Sequence, residues 1–245
     1  MEAHSWSPQR RLVERAVGVV AVLTAAAAVA LGLVVAPTDV VQDEPQRLMY
    51  VHVPAAWIAY LAFAGVFIAS IGYLWRRSLA WDRRAQAAAE LGVALTALTI
   101  ATGSLWGRPV WGVWWTWEPR LITTTVLLLI YVGYLALRSL PADPHRTAVR
   151  AAGLGIVAFI NVPVVHFSVV WWRTLHQPAT VLRPGGPAPI EPEMLAALLT
   201  AAAAFTLAGV WVCLRRVRSL RGQAMQPQPN EGAASPAIVV ERSSS

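Results

Sequence analysis

Six long apolar stretches, each free of charged residues, constrain this 245-residue chain more than any other feature of its sequence. They cover residues 17–35, 57–75, 91–107, 121–137, 151–172 and 194–214. A membrane hydrocarbon core about 30 Å thick needs roughly 20 helical residues. Backbone polar groups must bond internally in lipid, which favours helices. The sequence therefore predicts an all-α integral membrane protein with six transmembrane helices.

The composition agrees with a membrane location. Hydrophobic residues make up 56% of the chain and charged residues only 13%, whereas soluble domains carry about 25% charged residues. The net charge is +7, and the 20 basic residues are all Arg, placed between apolar stretches rather than on one polar face. This placement predicts phospholipid headgroups and no nucleic acid as partners. The single cysteine, Cys213, and the lack of a CxxCH motif exclude a c-type cytochrome.

Arginine counts predict the orientation, because cytoplasmic loops are enriched in basic residues. One set of connecting segments holds fourteen Arg, at positions 10, 11, 15, 76, 77, 83, 84, 138, 146, 150, 215, 216, 218 and 221. The opposite set holds five, at positions 47, 108, 120, 173 and 183. We expect both termini to be cytoplasmic, with residues 1–16 as a cytoplasmic N-terminus, 17–214 as the membrane domain and 215–245 as a largely disordered cytoplasmic tail. The first stretch could also be a signal peptide, but it exceeds an h-region in length, so a retained helix is favoured.

Three of the five histidines, His52, His166 and His176, fall on the predicted outer side, whereas His4 and His145 fall on the cytoplasmic side. His52 begins the second apolar stretch, and His166 lies about one turn inside the outer end of the fifth. An ionisable residue in a membrane segment is a functional candidate, and neutral imidazole binds transition metals. The alternative for either residue is a hydrogen bond to a neighbouring helix.

Five of the twelve Trp residues lie between positions 106 and 117, in the predicted outward loop 106–120. Such an aromatic patch indicates a flat apolar ligand, or alternatively a segment that dips into lipid headgroups. The loop and the next outward segment contain arginines that can pair with carboxylates, namely Arg108, Arg120 and Arg173. Heme matches two imidazoles, an indole platform and guanidinium partners together.

Three blocks of the sequence stand out: LMYVHVPAAW (48–57), WGVWWTWEPRL (111–121) and NVPVVHFSVVWWRTLHQ (161–177). Through these blocks, and over roughly residues 15–220, the sequence resembles the heme exporter protein C (CcmC) family of the cytochrome c maturation system. More broadly, it is similar to a heme-handling superfamily with a Trp-rich loop. The resemblance implies a heme b bound through iron by His52 and His166, with the heme edge on Trp111, Trp114, Trp115 and Trp117. One departure is Glu118, where the family loop usually has Asp.

The resemblance also implies a role and partners. The family presents heme at the outer face of the cytoplasmic (inner) membrane to a periplasmic heme chaperone, CcmE. It works beside the ATP-binding cassette subunits CcmA and CcmB and a small membrane subunit, CcmD. This chain has no Walker A sequence, so any ATP use belongs to a partner. We therefore expect a heme-binding and heme-transfer protein rather than an enzyme.

Two other functions are compatible with parts of the sequence. A cytochrome c synthase, which joins heme to apocytochrome thiols, has a similar Trp loop but is longer and carries more outer histidines. A permease or scaffold subunit without a cofactor would explain the helices but not the Trp loop. The sequence leaves open whether His176 serves as an alternative ligand.

Overall fold

The computed structural model describes residues 8–177 and 190–225, and the described chain is almost entirely helical. Its α-helices are α1 (Pro8–Ala30), α2 (Met49–Arg76), α3 (Leu79–Trp111), α4 (Pro119–Ser139), α5 (Pro144–Ala158), α6 (Asn161–Trp171) and α7 (Pro192–Gln223). A π-helical turn, Leu31–Val35, extends α1, and a 3-10 helix, Glu44–Leu48, precedes α2. The predicted placements of His4 and Arg183, and of the tail beyond residue 225, lie outside the described residues.

The prediction of six membrane spans is confirmed. Six helical segments within the described chain are long and apolar enough to cross a membrane: Pro8–Val35, Glu44–Arg76, Leu79–Trp111, Pro119–Ser139, Pro144–Trp171 and Pro192–Gln223. Successive spans run in opposite directions, so the start of α2 and the end of α3 lie at the same end of the bundle as the Trp-rich loop. Which end faces the cytoplasm stays a prediction from the arginine count.

Two helices extend beyond their apolar stretches towards the Trp-rich loop. Helix α2 begins at Met49, eight residues before the second stretch, so His52 lies in its first turn. Pro54 is the sixth residue of α2, inside the helix, so the carbonyl oxygen of Tyr50 lacks its usual N–H partner four residues on. Helix α3 continues to Trp111, four residues past the third stretch, and ends where Gly112 adopts a left-handed φ of 79°. The first part of the predicted loop is therefore helical.

The fifth span is broken into α5 and α6 at Phe159 and Ile160. Pro163 explains the break, because it has no N–H for the carbonyl of Phe159 and its ring crowds that oxygen. The side chain of Asn161 donates to the carbonyl oxygen of Thr123 at 3.0 Å, which fixes the start of α6 against α4. The break separates α6, the segment that carries His166, from α5.

The core lies between α2, α3, α4 and the α5–α6 pair. The rings of Phe63 and Tyr131 stack at its centre with a centroid separation of 3.8 Å, and both side chains are fully buried. Burying a side chain of this size stabilises the fold by roughly 1.5–3 kcal/mol. Helix α1 packs on α7, where the buried carboxylate of Glu14 accepts from Arg218 at 2.7 Å. The aromatic stack joins α2 to α4, and the ion pair joins α1 to α7 at the end of the bundle opposite the Trp-rich loop.

Candidate heme site

A cavity opens beneath the Trp-rich loop, between the halves of α2, α3 and α4 that lie nearest to that loop. Its wall includes several residues that the sequence pointed to: His52, Trp111, Trp114, Trp115 and Arg120. It also includes His176, Tyr60, Gly103 and several threonines. The tertiary structure therefore brings one predicted ligand, three predicted indoles and one predicted guanidinium to a single space, together with a second histidine.

His52 is held by contacts with α3. Its Nδ1 lies 3.2 Å from the hydroxyl oxygen of Thr102. That hydroxyl donates its proton to backbone carbonyls of its own helix, with Leu98 the nearest at 2.8 Å, so it accepts from Nδ1–H of His52. The lone pair of the neutral ring is then on Nε2, the atom suited to metal binding.

Gly103 makes room for this ring. A Cβ built at Gly103 would lie only 2.9 Å from Cε1 of His52, closer than an ordinary van der Waals contact. The ring of Trp106 meets the imidazole edge-on at 5.8 Å, and its Nε1 donates to the side-chain oxygen of Gln42 at 2.8 Å. A hydroxyl, a glycine and an indole thus determine the direction of the His52 ring.

His166 lies beside the cavity rather than on its wall. Its side chain is exposed, and its ring meets those of Phe167 at 5.0 Å and Tyr60 at 6.3 Å, both edge-on. Its carbonyl oxygen accepts from Nη2 of Arg120 at 3.0 Å. Of the two predicted ligands, the structure places His52 on the cavity and His166 one layer outside it, so His166 as a ligand stays a prediction.

His176 lies on the cavity wall and is bound by Glu118. The Nδ1 of His176 is 2.5 Å from one carboxylate oxygen of Glu118. The other oxygen accepts from the backbone N–H of Leu175 at 2.8 Å and from the hydroxyl of Thr174. Glu118 therefore joins the Trp-rich loop to the segment that follows α6. The ring of Trp111 meets the imidazole of His176 at 5.1 Å.

The electrostatics of Glu118 follow from these contacts. The residue is only 8% exposed, and burial by itself raises the pKa of its carboxyl group. The hydrogen bonds from His176, Thr174 and the N–H of Leu175 outweigh burial and lower the pKa to about 2. Glu118 is therefore ionised at every physiological pH and acts only as an acceptor.

Three polar atoms near the cavity have no hydrogen-bond partner among the described residues. They are Nε1 of Trp115, the hydroxyl oxygen of Thr116 and Nε of Arg120, all buried. Buried donors are rarely left unpaired in folded proteins. Two of these residues line the cavity, and their free N–H groups suit a ligand with carboxylate or other acceptor oxygens.

The remaining predicted residues lie around the cavity but do not line it. Trp117 is 81% exposed, and its ring meets that of Trp115 edge-on at 5.7 Å. Arg108 is exposed at the end of α3 and donates to the carbonyl oxygen of Gly112. Arg173 is exposed just after α6. The sequence gives His176 only as an alternative ligand, and the signal for it is its place in the third family block, ten residues after His166.

Comparisons with known proteins identify the family to which the chain belongs. The chain matches the family described as heme exporter protein C over residues 4–227. It is 46% identical over 196 residues to heme exporter protein C of Bradyrhizobium diazoefficiens, covering 76% of this chain and 74% of that protein. It is 38% identical over 187 residues to the protein of the same name from Escherichia coli, with coverage of 76% and 74%. Its identity to the protein of that name from Haemophilus influenzae is 35% over 203 residues, with 80% of each chain covered. The chain belongs to the heme exporter protein C family of the cytochrome c maturation system.

Proposed function

We propose that this chain binds heme b in the cavity beneath the Trp-rich loop and delivers it to a periplasmic heme chaperone, CcmE. The observation that carries the proposal is the cavity itself, whose wall holds two imidazoles, three indoles and one guanidinium with an unpaired N–H. Few ligands other than a metal-bearing planar macrocycle with carboxylates use all of these groups at once. The family name of the relatives supports a heme-handling role.

In this proposal His52 would hold the iron, because its Nδ1 is occupied by Thr102 and its Nε2 is left free. The sequence predicted His166 as the second ligand. The cavity favours His176 instead, because His176 lies on the wall and has its Nδ1 bound by Glu118. Bound heme would supply an iron that these two imidazoles can hold.

The indoles and the arginines hold the rest of the macrocycle. Trp111, Trp114 and Trp115 line the cavity, and an aromatic contact contributes about 0.5–1.5 kcal/mol beyond area burial. Arg120 offers its unpaired Nε–H to a propionate. Trp117 and the half-exposed ring of Trp114 extend the indole surface outwards, where a chaperone can contact it.

Delivery, rather than covalent chemistry, is the activity we propose. The single cysteine, Cys213, lies on α7, 21 residues after the start of that helix at the cavity end, so it is remote from the cavity. Partners supply ATP hydrolysis, and we propose CcmA, CcmB and CcmD for this assembly. The arginine asymmetry supports an inner-membrane position with the cavity facing the periplasm. The alternative is a cytochrome c synthase, which would attach heme to apocytochrome without a chaperone.

The test is an absorption spectrum of the detergent-purified protein after heme supplementation. Replacing His52 with Ala should shift the Soret and visible bands and abolish delivery to the chaperone. Separate His176→Ala and His166→Ala variants identify the second ligand, because replacing a ligand should shift the same Soret and visible bands. His145→Ala is the matched control, because His145 contacts Tyr73 at the opposite end of the bundle. A wild-type protein without a Soret band, or a His52→Ala spectrum identical to wild type, would contradict the proposal.

A further inference from the structure

We propose that Glu118 is a positioning residue that fixes the ring of His176 and so directs its Nε2 at the bound ligand. The inference rests on the proposed function, because the ligand it serves is the heme of the cavity. Glu118 itself is not on the cavity wall, so it acts through His176. Its hydrogen bonds to positions 174–176 also connect the Trp-rich loop to His176.

The hydrogen bonds of the carboxylate establish the direction of the ring. One oxygen of Glu118 accepts from Leu175 and Thr174, and the other lies 2.5 Å from Nδ1 of His176. A carboxylate that accepts two other hydrogen bonds is also the acceptor for the third, so Nδ1 of His176 carries the proton. The neutral ring then has its lone pair on Nε2, the nitrogen turned away from Glu118.

Thr102 favours the same tautomer at His52. There, the hydroxyl of Thr102 accepts from Nδ1, again leaving Nε2 as the free nitrogen. Both cavity histidines therefore have Nδ1 bound by protein and Nε2 unbound by these groups. A group that binds the far nitrogen of a metal-ligating histidine fixes its orientation and raises its basicity, and its loss costs about 10- to 100-fold in metal affinity.

The position of Glu118 adds a second consequence. It directly follows Trp117, the most exposed indole of the loop, and directly precedes α4. Three hydrogen bonds connect this single residue to positions 174–176. A partner that displaces Trp117 therefore also displaces the acceptor of the His176 ring.

The decisive measurement uses the apo protein, so it does not depend on heme binding. Histidine-selective 15N labelling in detergent reports the tautomer of each ring, and His176→Gln identifies the signal of His176. In wild type we expect the proton on Nδ1 of His176. In Glu118→Ala we expect loss of that fixed tautomer, together with faster hydrogen exchange at the amide of Leu175. Glu118→Asp keeps the charge one methylene shorter and should restore most of the wild-type signal.

The loaded protein gives the second readout. Glu118→Ala should bind heme about 10- to 100-fold more weakly and should bind added imidazole more tightly than wild type, because the ligand position is open. Glu44→Gln is the matched control, since Glu44 is an exposed acid at the same end of the bundle paired with Arg47 at 2.7 Å. This control should leave both readouts unchanged.

The possible outcomes distinguish the positioning role of Glu118 from the proposed heme-binding function. An unchanged His176 tautomer in apo Glu118→Ala overturns the positioning role, whatever happens with heme. A wild-type protein that never binds heme overturns the proposed function, while the apo tautomer still decides whether Glu118 fixes the ring. A wild-type protein that binds heme, with Glu118→Ala matching its spectrum and imidazole affinity, overturns the positioning role alone.

Discussion

Replacing Gly103 with Ala tests the placement of His52 with a single methyl group. The added Cβ would lie 2.9 Å from Cε1 of His52, whereas ordinary contacts begin at about 3.4 Å. The ring must therefore move by about 0.5 Å, away from α3. The hydrogen bond from Nδ1 to Thr102, now 3.2 Å long, would stretch towards about 3.7 Å, beyond the limit of a hydrogen bond.

The expected loss follows from that hydrogen bond. An intramolecular hydrogen bond contributes about 0.5–1.5 kcal/mol, and each 1.4 kcal/mol corresponds to about tenfold in affinity. We therefore expect Gly103→Ala to weaken heme binding by about two- to tenfold and to shift the Soret band. The bulkier Gly103→Val should weaken it further. Heme titration of the purified protein, followed by absorption, measures both effects.

Gly133→Ala is the matched control, because a Cβ at Gly133 meets no atom within 4 Å. Both positions are helical glycines within membrane spans, and Ala stabilises a helix by roughly 0.5–1 kcal/mol relative to Gly. The control should leave heme affinity unchanged. Equal heme affinities and equal spectra for Gly103→Ala and wild type would refute the inferred contact between His52 and α3.

Three further predictions address topology, the indoles and pH. Reporter fusions should be cytoplasmic at Arg84, Arg146 and Arg221 and periplasmic at Asp43 and Val113; a fusion at Pro187, outside the described residues, should also be periplasmic, and a periplasmic signal at Arg146 would refute the orientation. Replacing Trp114 and Trp115 together with Ala should weaken heme binding by tens of fold, since each contact contributes about 0.5–1.5 kcal/mol plus buried area, while membrane levels stay unchanged; wild-type chaperone loading would argue against a platform role. Folding lowers the pKa of Glu118 from 4.5 to about 2, so its stabilisation is complete above pH 4.5 and is lost as pH falls towards 2. The difference in thermal stability between wild type and Glu118→Gln should persist at pH 5 and shrink below pH 4; its disappearance by pH 5 would show that the pKa is not lowered.

Most of the architecture was predictable because membrane spans depend on local properties. Length and hydropathy alone determine whether a segment can cross a bilayer. Five of the six stretches lie wholly within a span, and the fifth passes the end of its span by one residue. Helix ends were less predictable. Extending α3 to Trp111 depends on the left-handed Gly112, and the break before α6 depends on Pro163; both residues were visible in the sequence, but their effect depends on how the chain turns there.

The histidines show the limit of sequence reasoning more clearly. His52, Trp111, Trp114, Trp115 and Arg120 could be assigned to one site because all lie near the outer ends of predicted helices. Choosing between His166 and His176 required knowing which side of α6 faces the cavity. The break between α5 and α6 and the path of the chain after Trp171 decide that point, and neither has a periodic signal in the sequence.

The sequence by itself determined that this chain spans a membrane six times, that it concentrates aromatic residues at one end and that it belongs among heme-handling proteins. Those properties depend on composition and on residues close together in the chain. Only the tertiary structure decided that His176 shares a wall with His52, that Gly103 leaves space for an imidazole and that Glu118 holds His176. Each of these contacts joins residues 50 or more positions apart, and their distances depend on how the helices pack.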